Sequence, residues 1–96
     1  LMRPKEILTK ATELVGGKRA EQHGDYRLLH VRIASLWSAY LQAKVSPKQV
    51  AFCMTLLKVS RDEQGVFNPD DGVDATAYTG IWAALAVDYG NDDDDV

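Results

Sequence analysis

The chain has 96 residues, 46% of them apolar and 26% charged, with a formal net charge of −3. That is one domain of ordinary globular composition, too short to bury more than roughly 60–65% of the surface its unfolded form exposes. No apolar run approaches the roughly 20 residues that cross a bilayer, so no membrane span is expected.

The charge is unevenly placed. Asp92-Asp93-Asp94-Asp95 holds four of the fourteen acids, which leaves ten acids against eleven bases in the rest. A near-neutral body lacks the strongly basic face of a general nucleic-acid binder, so nucleic acid is not an expected partner. Residues 1–91 are predicted to form a single helical domain and 92–96 an acidic, disordered tail. Leu1–Lys5 carries charge with no apolar stretch behind it, so no signal peptide is expected, and Leu1 before Met2 reads as a leftover of expression. The single cysteine, Cys53, excludes an internal disulfide. Set in Val50-Ala51-Phe52-Cys53-Met54, it is expected to be a small buried hydrophobe, and a reducing, cytoplasmic setting suits it.

The first helix is predicted from about Pro4 to Val15. Ile7, Leu8, Ala11, Leu14 and Val15 recur at helical spacing, Pro4 suits a first turn, and Gly16-Gly17 ends the run. A polar loop, Lys18 to Asp25, follows. The second helix is predicted from Tyr26 to Ala43, with Leu29, Ile33, Leu36, Trp37, Tyr40 and Leu41 as its apolar stripe. After the short link Lys44-Val45, Ser46 caps the third helix, Pro47 is its first residue and Gln49 completes a capping box. Val50, Cys53, Met54, Leu56 and Leu57 are its expected core positions to about Arg61, and apolar Phe52 and Val59 suggest a central helix or a second contacting face. Gly65 to Asp71 reads as a loop, with Phe67 as an anchor and Asn68-Pro69 as a turn. Asp70 or Asp71 is expected to cap a fourth helix from Gly72 to Tyr89. Val73, Ala77, Ile81, Ala84, Leu85 and Asp88 mark one face of it; Tyr78, Trp82 and Tyr89 mark another. Small residues, among them Ala75, Gly80 and Ala83, permit close helix approach. No strand alternation appears. The expected fold is therefore an all-α, four-helix antiparallel bundle, and the second apolar face of the last helix points to a homo-oligomer.

Up-down-up-down order would gather three polar segments at one end. These are the loop with Arg19, His23, Asp25 and Tyr26; the end of the third helix with Lys58, Arg61 and Asp62; and the start of the fourth with Asp70, Asp71, Asp74 and Tyr78. Asp70 and Asp74 are four apart and share a face, as two Mg²⁺ ligands could. Lys58 and Arg61 also share a face, and cations beside a metal suit a polyphosphate. The plainer reading makes the aspartates caps, Lys58 and Asp62 a surface pair, and Arg61 and Asp74 a clamp between helices. No zinc-ligand spacing, P-loop or nucleophile elbow is present. Trp37 and Trp82 are expected in the core or an interface unless exposed beside the cluster.

Several strings carry a resemblance. Arg19-Ala20-Glu21-Gln22-His23-Gly24-Asp25 resembles the R-x-x-x-YGD loop of a small all-α domain family of bacteriophages and prophages, with His23 where the pattern has Tyr. Ile33-Ala34-Ser35-Leu36-Trp37-Ser38-Ala39-Tyr40-Leu41 matches its IAxLWSAYL helix, and Leu56-Leu57-Lys58-Val59-Ser60-Arg61 its LLKxAR segment. Asp71-Gly72-Val73-Asp74-Ala75-Thr76-Ala77-Tyr78 resembles its DNxxDxxGYA segment, with Gly72 and Ala77 replacing Asn and Gly. The resemblance runs from the first helix to about Ala86, and the family brings no assigned activity. Its helix order and acidic fourth helix are distantly similar to the MazG-like all-α nucleotide pyrophosphohydrolases, which use Mg²⁺ held by Glu and Asp. This chain lacks most of that set, so the resemblance implies nucleotide recognition more than cleavage. The expected function is a phage-encoded protein, in the host cytoplasm, that binds a nucleotide or nucleotide-derived signal through Arg19, His23, Asp25, Tyr26, Lys58, Arg61, Asp74 and Tyr78. One alternative is a Mg²⁺-dependent nucleoside-phosphate hydrolase with Asp70, Asp71 and Asp74 on the metal. Another is a module that inhibits a host protein through the apolar faces of helices two and four.

Overall fold

Three of the four helices in the described residues begin on a proline. In the computed structural model, which describes residues 3–17 and 24–89, the elements are α1 (Pro4–Gly16), α2 (Tyr26–Leu41), α3 (Pro47–Asp62) and α4 (Pro69–Tyr89). The arrangement among these residues is all-α. Proline suits the first helical position because its missing N–H would be unpaired there anyway. At α3 the expected capping box is present: Ser46 Oγ accepts from Gln49 N at 3.3 Å, and Gln49 Oε1 accepts from Ser46 N at 2.9 Å.

Helix α4 starts one turn earlier than the sequence pattern suggests. Asn68-Pro69 is a helix start rather than a free turn, because Asn68 Oδ1 accepts from Asp70 N at 3.0 Å. Asn68 therefore takes the capping role expected of Asp70 or Asp71. Phe67, expected as an anchor, is 59% exposed, although its ring approaches Gly72 closely enough that a Cβ there would sit 3.2 Å away. Helix α2 stops at Leu41, short of Ala43, because Gln42 turns left-handed at φ 54°. Ser38 fixes the link that follows, its Oγ accepting from Val45 N at 2.8 Å and donating to Val45 O at 3.2 Å.

Helices α3 and α4 form the main seam, with α1 packed on α4 and α2 against α3. Residues pair in opposite order along the seam: Phe52 with Trp82, Thr55 with Thr79, Lys58 with Asp74, Arg61 with Asp71. Small side chains let the backbones approach. Ala51 is fully buried, and the Thr55 hydroxyl lies 3.1 Å from Thr79 Oγ1, which donates to Ala75 O at 2.8 Å. Gly80 and Ala83, expected at such contacts, are exposed instead. Helix α1 buries Ala11 against Val73 and Ala77, with Ile7 and Leu14 packed around them.

The core is thin. Val50 and Leu85 are the large side chains fully enclosed, and each contributes about 1.5–3 kcal/mol. Sixteen large apolar side chains remain exposed among the described residues, including Leu36 at 70% and Tyr40 at 87%. The expected stripe of α2 is therefore rotated outward: His30 and Ala34 face the core, while Leu29, Leu36 and Tyr40 line the outside. On α3, Val50 is buried and Met54 half-buried, but Cys53, Leu56 and Leu57 are exposed. Cys53 is thus a surface thiol, because Ala51 and Thr55 take the seam positions beside it. Among the described residues no helix is long and apolar enough to cross a membrane.

Candidate functional site

Two neighbourhoods along the α3–α4 seam concentrate chemistry. The first is where α3 ends and α4 begins. Lys58 Nζ lies 3.1 Å from Asp74 Oδ2, with both side chains mostly covered. Arg61 stands one turn further along, 3.9 Å from Asp71, whose carboxylate is buried while the guanidinium is 57% exposed. Asp62 Oδ1 accepts from Asn68 N at 3.4 Å and ties the corner together. The cross-helix pairs are thus Lys58–Asp74 and Arg61–Asp71, in place of Lys58–Asp62 and Arg61–Asp74. Asp71 also sits in the first turn of α4, where the positive end of the helix dipole favours a carboxylate.

Tyr78 lies one turn beyond Asp74 and meets the ring of His30 edge-on, with centroids 6.5 Å apart. His30 is 2% exposed, and its Nδ1 is 2.7 Å from Tyr26 O. A carbonyl only accepts, so Nδ1 carries the proton. His30 therefore belongs to this neighbourhood, although on the sequence it was only a residue of the second helix. Asp25 serves α2 as its cap: Oδ1 accepts from Arg27 N at 2.8 Å, and the Arg27 side chain returns to the same carboxylate. The backbone N–H of Arg27 first, then its guanidinium, holds the Asp25 carboxyl below the ordinary value. Arg19 and His23 lie outside the described residues. Asp70, Asp71 and Asp74 do not gather: among the described residues no three of His, Cys, Asp and Glu are grouped as a metal site would need.

The second neighbourhood is at the opposite end of the seam. A groove of about 490 Å³, open to solvent, is lined by Trp37 and Leu41 of α2, Lys44 and Val45 of the link, Lys48, Gln49, Phe52 and Cys53 of α3, and Trp82 of α4. Phe52 and Trp82 are tilted against each other with centroids 5.5 Å apart. Among the described residues the lining holds two lysines, Lys44 and Lys48. Both tryptophans of the chain line it. Sequence reasoning placed them in a core or interface. The signal it passed over was Lys44 and Lys48, four apart on either side of the Ser46-Pro47 helix start.

The strings that resemble a phage domain have a counterpart in known families. Residues 6–86 match the model of DUF6378, a domain of unknown function. The chain belongs to this family. It is 41% identical over 76 residues to the gene 55 protein of Mycobacterium phage L5, covering 78% of this chain and 49% of that protein. It is 34% identical over 74 residues to the gene 55 protein of Mycobacterium phage D29, covering 77% of this chain and 49% of that protein. The chain thus spans about half the length of these curated relatives. No solved structure matches it. Membership supports the resemblance read from Ile33–Leu41 and Leu56–Arg61, and it brings bacteriophage relatives.

Proposed function

We propose that this DUF6378 domain is a phage-encoded helical module that binds a nucleotide-type ligand in the Trp37–Phe52–Trp82 groove and holds it without turnover, withdrawing it from a host defence in the host cytoplasm. The observation that carries the reading is the groove's lining among the described residues: three aromatic rings, Trp37, Phe52 and Trp82, beside Lys44 and Lys48. Flat rings stack on aromatic faces, and a lysine is a compact partner for phosphate. A volume of about 490 Å³ falls among small-molecule sites. Because the groove is open, affinity in the micromolar range is expected, about −8 kcal/mol.

The Lys58–Asp74 end supports the reading less strongly. Its cations already face aspartates, so a phosphate there would displace a carboxylate from Lys58 or Arg61. Tyr78 and the exposed Arg61 are its best-placed contacts. The hydrolytic alternative would require Asp70, Asp71 and Asp74 to leave their present positions and converge on Mg²⁺. The distant MazG-like resemblance adds to the choice of nucleotide as ligand. The reading also takes the four helices as an antiparallel bundle whose outer apolar face, Leu29, Leu36 and Tyr40, is covered by a second copy.

The test uses Trp37 and Trp82, the chain's only indoles. AMP, GMP, ATP and their cyclic counterparts are titrated with and without Mg²⁺ while indole emission, melting temperature and phosphate release are followed. Saturable quenching without phosphate release is expected, and Lys44→Gln with Lys48→Gln should weaken it. Absence of quenching with every nucleotide sinks the reading, and phosphate release transfers it to the hydrolase.

A further inference from the structure

One side chain of the groove wall has half of its amide already committed. Gln49 lines the groove on α3, three residues before Phe52 and four before Cys53, so the three share a face of the helix. Its Oε1 accepts from Ser46 N at 2.9 Å in the capping box that starts α3. Ser46 is 3% exposed, so its N–H depends on that acceptor. Turning the amide over would set the Nε2 amino group against an N–H, and the cap therefore fixes which end of Gln49 is oxygen. Gln49 is exposed, and among the described residues no hydrogen bond engages its Nε2. What Gln49 presents to a bound molecule is thus the two N–H donors of Nε2, since Oε1 is turned to the cap.

We propose that Gln49 reads the edge of the ring held in the groove and selects a 6-oxopurine, guanine or hypoxanthine, over adenine. Phe52 and Trp82, with centroids 5.5 Å apart, form the aromatic surface on which a flat ring rests. Gln49 stands about 5 Å along α3 from Phe52, so its amide meets the edge of such a ring rather than its face. Guanine and hypoxanthine carry two adjacent acceptors, O6 and N7, on one edge, whereas adenine places the N6 amino group, a donor, beside N7. An amide turned to donate pairs with both atoms of the first edge and is opposed by the amino group of the second. A donor left facing a donor loses its hydrogen bond to water without gaining another. The inference deepens the groove reading given above and rests on it for the presence of a nucleotide; it adds which base the groove takes.

The experiment titrates GMP, IMP, AMP and 7-deaza-GMP into the parent chain and into Gln49→Glu, following indole emission. Glutamate also completes a capping box at this position, so Gln49→Glu keeps the cap and replaces the donor with an acceptor. Its melting temperature should match the parent's. The parent should bind GMP and IMP about three- to tenfold more tightly than AMP, the range of one net hydrogen bond in an open site. The analogue 7-deaza-GMP lacks the N7 acceptor and should bind the parent more weakly than GMP, a comparison that needs no substitution. In Gln49→Glu the preference for GMP over AMP should vanish or reverse, because a carboxylate accepts from the adenine amino group. The ratio of the two affinities cancels the effect of the added charge on the phosphate, which both nucleotides share. Equal affinity of the parent for GMP and AMP overturns the proposal and leaves the groove reading in place, as does an unchanged preference in Gln49→Glu. Absence of binding by all four nucleotides overturns both.

Discussion

Lys58 is the residue on which the plain and the functional readings of the polar end part company. Its pair with Asp74 is 3.1 Å long and largely shielded, so removing one partner leaves a poorly solvated charge. Between the values for exposed and fully buried pairs, Lys58→Ala should cost about 1–2 kcal/mol. Urea unfolding measures it. Exchanging the charges, Lys58→Asp with Asp74→Lys, should recover part of the loss if the pair is structural, while a ligand contact would be lost in both variants. Asp25 carries a pH signature at the same scale. Its folded value is depressed, chiefly by the Arg27 backbone N–H. Its contribution is therefore fully present above the unfolded carboxylate value and fades as pH falls through the lower folded one. Amide protection at the start of α2, corrected for the intrinsic exchange rate at each pH, should fall through that acid range in the parent and show no such step in Asp25→Ala.

The helices were the most legible level. The Ser46–Gln49 box, the prolines at Pro4 and Pro47, and the period of Val73, Ala77 and Leu85 all have direct local causes, and the structure follows them. Element ends were less legible because they depend on one side chain's choice of partner. Asn68 turned an apparent loop into a cap, and Ser38 drew the link back and ended α2 early. Helix orientation was harder still. The apolar stripe of α2 is real, but the face turned inward is His30–Ala34, where His30 meets Tyr26 O and the Tyr78 ring. The site was half-read: helix order was expected to gather Lys58, Arg61 and Asp74 at one end, but the partners are Lys58–Asp74 and Arg61–Asp71, and the groove depends on where Trp37 and Trp82 come to rest. Two substitutions probe this level. Ser46→Ala removes a buried cap and should destabilise by about 1 kcal/mol, read from the urea midpoint. Gly80→Ala adds a methyl that meets open space in mid-helix, and should raise stability by about 0.5–1 kcal/mol.

At the scale of the whole molecule, the balance between core and surface is the outstanding feature. Among the described residues four of the seven buried apolar ones are alanines, while leucines, valines and aromatic rings stand outside. Leu29, Ile33, Leu36 and Tyr40 follow one another at spacings of four, three and four, the repeat of a helix–helix seam. No described element covers the exposed members of that line. Such a face is stabilised by a second surface of the same kind, and a helix meeting its own copy provides one about a two-fold axis. The chain should therefore associate reversibly, with a melting temperature that rises with protein concentration. Leu36→Lys with Tyr40→Lys should give a monomer whose helix content is unchanged, since both side chains are exposed within one chain. Sedimentation velocity across a hundredfold concentration range decides the matter. A parent chain that stays monomeric throughout would leave this face to a different partner, and the nucleotide titration repeated on the double variant would show whether the groove works without the second copy.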